Sequence, residues 1–159
     1  QRVAAAEEAE REANKRENRK KSVDAFAKIY SPLVPLNYVC VETEMFSKRD
    51  VSELRAMIKV NLELLESDPK VRDFSSSELS AIKDEAYENV YQEILNSEEP
   101  GVKLLTQFRT MMMNGWRDSE AMNACIRVLD GSLMQARQME NQLRQLLGKE
   151  KPVNRQRDL

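Results

Sequence analysis

The sequence predicts an all-α protein: a helical bundle of four to five helices with a protruding charged N-terminal helix. Three observations predict it. The 159 residues include only four Gly and five Pro, too few for a sheet protein with many tight turns. Charged residues make up 33% of the chain, against about a quarter in ordinary domains. Much of that charge is Glu, Lys and Arg, good helix formers like the abundant Leu, Met and Ala. Finally, apolar residues recur at helical spacing in several separate stretches.

The first element is a charged helix. Residues 1–21 hold no Gly, no Pro and no large apolar residue after Val3. A helix polar all round is a spacer between other parts or is held by its own charge pairs. Glu7–Arg11, Glu12–Arg16 and Glu17–Lys21 place acid before base at i,i+4, each pair worth about 0.2–0.5 kcal/mol in an isolated helix. An apolar face begins after Ser22, with Val23, Phe26, Ala27 and Tyr30 at i, i+3, i+4 and i+7. One continuous helix over 3–30 is therefore expected, exposed at its start and docked at its end. Because the chain opens on Gln1 rather than Met, residues 1–21 are expected to be a stalk leading from a membrane segment or another domain. An exposed length of about 20 residues spans ~30 Å.

Pro32 and Pro35 end that helix. Tyr38, Val39, Cys40 and Val41 favour extended structure, so residues 31–46 are expected to form an extended connection, with a short helix as the alternative. A second helix opens on Asp50, whose spacing to Glu53 has the form of a capping box. Its stripe is Val51, Leu54, Ile58, Leu62 and Leu65, broadened by Met57 and Leu64, and Ser67-Asp68-Pro69 ends it. Ser75 and Glu78 repeat the capping-box spacing before a third stripe of Leu79, Ile82, Ala86, Val90 and Ile94, flanked by Tyr87 and Tyr91. Val102, Leu105, Phe108 and Met112 mark a short fourth helix that stops at Asn114-Gly115.

The last helix runs from Asp118 or Ser119 to about Leu147. Met122, Ile126, Leu129, Leu133, Ala136, Glu140, Leu143 and Leu147 form a heptad seam interrupted once, at Glu140. Met139 and Leu146 flank it. Gly131 lies mid-helix, where it permits close approach of a neighbour, and Gly148 ends the helix. The domain boundaries are thus 1–21 stalk, 22–148 bundle and 149–159 polar tail.

Composition excludes much chemistry. The chain has no His, so the commonest general base and transition-metal ligand is missing. Glu-x-x-His di-iron sites and Cys–His nucleophiles are ruled out with it. Two cysteines, Cys40 and Cys125, do not make a zinc site alone. There is no Gly-rich phosphate loop and no EF-hand loop. Asp84, Glu85 and Glu88 share a helix surface, and Glu42 and Glu44 lie in the connection. In a chain of 27 acids such neighbours are ordinary solvated faces. No catalytic residue, cofactor or metal is therefore expected. Two cysteines far apart in sequence, read as free buried thiols with a disulfide as the alternative, no N-x-[ST] site and no apolar run of the ~18 residues needed to span a bilayer fit a cytoplasmic setting, or the cytoplasmic face of a membrane reached through a segment upstream of residue 1.

The expected function is a non-enzymatic protein–protein interaction module. The candidate partner-binding residues are Met111, Met112, Met113 and Trp116. Three consecutive Met cannot all face one core, and Met and Trp are enriched at adaptable contact surfaces. Self-assembly as a homo-oligomer through the last helix is the first alternative. A nucleic-acid factor using Lys15 to Lys21 and the tail's Arg155 and Arg157 is the second, disfavoured by the absence of aromatic residues there. The general layout, a small helical domain on a charged stalk, is similar to that of bacterial plasmid and phage proteins serving in immunity, exclusion or secretion machinery. No motif carries a family match.

Overall fold

Between Gln1 and Ser31 nothing interrupts a helix, and a single α1 runs Arg2–Tyr30. It is followed by α2 (Leu33–Val39), α3 (Lys48–Glu66), α4 (Pro69–Arg72), α5 (Ser76–Asn96), α6 (Pro100–Met113) and α7 (Ser119–Leu146). This computed structural model describes residues 2–39, 48–113 and 119–148. Every regular element among them is an α-helix, so the fold class is all-α.

Two helix pairs organise the packing. α1 lies chiefly on α5, and α3 chiefly on α7. Contacts of α1 with α3 join the pairs, and the short α2 touches α3, α5, α6 and α7. The central face of α1 is Val23, Phe26 and Ile29, all almost fully buried. Ala27 and Tyr30 are half-buried and serve a second cluster with Val34, Val90 and Ile94. Ile29 joins the main stripe, and Tyr30 packs against both clusters, because α1 is covered from two sides. Truncating a side chain like Phe26 to Ala costs about 3–5 kcal/mol in such a core.

The structure corrects the expected extended connection: Leu33–Val39 is helical. Pro35 is the third residue of α2, within the first turn, whose N–H groups have no intrahelical acceptor to lose. Burial of Val34 and Leu36 against four neighbours overrides the β-propensity of the local sequence. Residues 40–47, with Cys40, Glu42 and Glu44, lie outside the described residues.

A second correction concerns Asp50. α3 covers Lys48–Glu66, so Asp50 lies within the helix rather than at its N-cap. The buried face of α3 is Leu54, Ile58, Asn61, Leu64 and Leu65. Asn61 takes the central position expected for Leu62, which is half-buried.

The chain then turns through two side-chain caps. Ser67 Oγ donates to the Leu64 carbonyl at 2.6 Å. Asp68 accepts from the Lys70 N–H at 2.9 Å and caps α4, with Pro69 at its first turn. This one-turn helix, which inserts Val71 into the core, is too short to show a periodicity in sequence. The Ser75–Glu78 capping box forms as expected: Glu78 N–H donates to Ser75 Oγ at 3.2 Å, and Ser75 N–H to Glu78 Oε1 at 3.0 Å. α5 buries Ile82, Ala86, Val90 and Ile94, the expected stripe.

On α7 the seam's Leu129, Ala136 and Leu143 are buried and Leu133 is half-buried, with Ser132 buried beside it, whereas Ile126 is exposed. Glu140 is half-buried and bonds Arg144 at 2.8 Å. Met139 packs on the core beside it. Gly131 is a third correction. It is exposed, and a Cβ there would meet nothing within 4 Å, so it serves no close approach. Gly148, at φ +69°, adopts the left-handed conformation that ends the helix.

Candidate functional site

The sequence-predicted partner residues divide. Met111, Met112 and Met113 form the last turn of α6; their side chains lie outside the described residues, as does Trp116. The carboxylate neighbours are solvated. Glu85 pairs with Arg19 of α1 at 2.6 Å and Glu88 accepts from Gln92 at 2.9 Å, all exposed. Lys15 bonds Glu78 at 3.1 Å, so α1 reaches the bundle by ion pairs well before its apolar face begins. Within α1, Lys21 pairs with Glu17 as expected, but Arg11 pairs with Glu8 rather than Glu7.

A half-buried cluster joins α1, α2 and α5. The rings of Tyr30 and Tyr87 meet edge to face at 5.5 Å. Asn37 donates to the Tyr87 hydroxyl at 3.3 Å. Burial raises the Tyr30 phenol above its ordinary value, and the carboxylates of Glu66 and Asp84 push it further. A phenol so shifted stays protonated near neutrality and offers no base. Among the described residues no three His, Cys, Asp or Glu side chains gather to hold a metal ion, and no helix is long and apolar enough to cross a membrane.

A partly apolar groove of about 380 Å³ lies between α1 and the end of α7, with Leu65 of α3 among its lining residues. Lys21, Asp24, Ala25 and Lys28 line it from α1, and Met139, Gln142, Leu143 and Leu146 from α7. Each set runs i, i+3, i+4, i+7, one helix face two turns long. Leu65 and Leu143 are buried, Met139 is half-buried, and Leu146 is 74% exposed. Leu146 therefore stands over an apolar floor without being covered itself.

Sequence reasoning placed Met139 and Leu146 beside the seam but did not join them to α1. The signal was present in both spacings. Their juxtaposition was not, because it depends on which helices flank α3. No protein-family model, curated protein or solved structure matches the chain. Fold and groove thus define its class by themselves: an all-α helical protein with an open, partly apolar groove between two helices.

Proposed function

We propose that this chain is a non-enzymatic protein–protein interaction module that seats part of a partner protein in the α1–α7 groove. The observation that carries the reading is Leu146, 74% exposed at the rim of a groove whose lining includes buried Leu65 and Leu143. A large apolar side chain beside a concave apolar surface gains from being covered. The absence of His, the commonest general base, supports a binding role over a catalytic one. In the same reading the domain lies in the cytoplasm or at the cytoplasmic face of a membrane, held by the exposed part of α1, as in plasmid and phage immunity, exclusion or secretion proteins of this layout.

Site-specific photocrosslinking tests it. A crosslinking residue at Gln142, on the groove, is compared with one at Ala81, on an exposed face of α5, in the native cells. A discrete protein adduct at 142 alone, lost in a Leu146→Gln background, is the expected result. Equal adducts at both positions, or none at 142, overturn the reading.

A further inference from the structure

Resting on that reading, we infer that the groove accepts an amphipathic α-helix whose polar flank carries an acid–base–acid pattern complementary to Lys21, Asp24 and Lys28. Shape argues for a helix. The groove's two walls are helix faces, each covering seven residue steps or ~10 Å, and it lies beside α3, on which both walls pack. An extended peptide that adds to a sheet edge finds none among the described residues, and a polyproline segment docks on aromatic rings, of which this lining has none. A helix satisfies its own backbone and needs only an apolar stripe to lay against Leu65, Met139, Leu143 and Leu146.

Charge selects which helix. The α1 wall presents Lys21, Asp24 and Lys28 in order, whereas α7 contributes the uncharged Gln142. One wall is therefore charged and the other neutral, which fixes the flank on which the occupant carries its acids. The ion pair of Lys21 with Glu17 is mostly exposed, and such a pair holds its ammonium only weakly. Two internal candidates fit poorly. The tail after Gly148 carries Lys149, Lys151, Arg155 and Arg157 against Glu150 and Asp158 and contains Pro152, so its charge matches the rim's. The acidic stretch of α1 in a second copy has no large apolar anchor between Val3 and Val23.

A displayed library of amphipathic helices, selected on the whole chain and on the Lys21→Glu/Lys28→Glu variant, tests the inference. Sequences enriched on the native chain should carry apolar anchors at i, i+3 or i+4, and i+7 with acids on one flank. The charge-reversed variant should enrich basic flanks, and exchanging the two sets should weaken binding about five-fold. Leu146→Gln, which alters only an exposed side chain, should weaken binding about ten-fold. Helices enriched without any charge preference overturn the acid–base–acid pattern while leaving a helix-binding groove. No enrichment above the Leu146→Gln background, together with a specific crosslink at Gln142, overturns helix binding and leaves the interaction-module reading standing. Concentration-dependent dimerisation abolished by Leu146→Gln overturns the inference in favour of a second copy.

Discussion

The side-chain amide of Asn61 donates to the backbone carbonyl of Ala136 at 3.0 Å, and both residues are fully buried. This is a polar link at the centre of the α3–α7 interface, between Ile58 and Leu65 on the same helix face. Asn61 Oδ1 is buried and meets no donor among the described residues. Within its helix the Ala136 carbonyl keeps an intrahelical partner if Asn61 is removed.

From this follows a ranking of substitutions. Asn61→Leu, which removes the unsatisfied oxygen at similar volume, should change stability by less than about 1.5 kcal/mol. Asn61→Asp places an unpaired charge in the same site and should cost roughly 3 kcal/mol or more. Urea denaturation at neutral pH checks both. A reversed order would mean that the amide is essential to the interface.

The Ser75 cap makes a pH prediction. The Glu78 carboxyl is held below its ordinary value, first by the Ser75 N–H, then by Lys15 and the Ser75 hydroxyl. A lowered carboxyl pKa contributes stability above the unfolded value of 4.5, and that contribution disappears as pH falls through the folded value. Carboxyl NMR titration should place the Glu78 midpoint below the ordinary glutamate value of 4.5. Lys15→Ala should move it up only part of the way, because the backbone N–H remains. Ser75→Ala should cost about 1 kcal/mol of stability. A Glu78 midpoint at or above 4.5 would contradict the assignment.

Gly131 and Gly148 should respond in opposite directions. Gly131 lies in helical backbone with open space where a Cβ would go, so Gly131→Ala should stabilise by about 0.5–1 kcal/mol. Gly148 sits at φ +69°, and Gly148→Ala should destabilise by about 1 kcal/mol despite equal space. Thermal unfolding of the pair distinguishes conformational strain from crowding.

Removing residues 1–10 takes away no described buried side chain, since 3–10 are all exposed. Stability should stay within about 0.5 kcal/mol of the whole chain. Removing residues 1–21 also deletes the Lys15–Glu78 and Arg19–Glu85 pairs and should cost roughly 1 kcal/mol, less at high salt. Equal stability of the two truncations would show that α1 is held by its apolar face alone.

Helix positions were well read wherever a stripe was long. The Ile82, Ala86, Val90, Ile94 series and the Ser75–Glu78 box carry their geometry in local spacing. Failures fell where local signals conflict with burial. Pro35 and the β-prone Tyr38 and Val39 suggested an extended chain, yet the first turn of a helix accommodates Pro and the core favours Leu36 inside. Asn61 was overlooked because a polar residue on an apolar face has no meaning until a carbonyl of another helix lies opposite it. Of the candidate site, Met139 and Leu146 were noticed but left without a partner surface.

By itself, then, the sequence determined the all-α class, the unbroken α1, the cap at Ser75 and the absence of histidine chemistry. These depend on interactions within a few residues, or on composition. Only the tertiary structure decided that α1 and α7 flank α3 with Leu65 between them, bringing Lys21, Asp24 and Lys28 opposite Leu143 and Leu146. Helical periodicity states which face of each helix is apolar. Which faces meet, and which one is left partly uncovered, is settled only when all the helices compete for the same core.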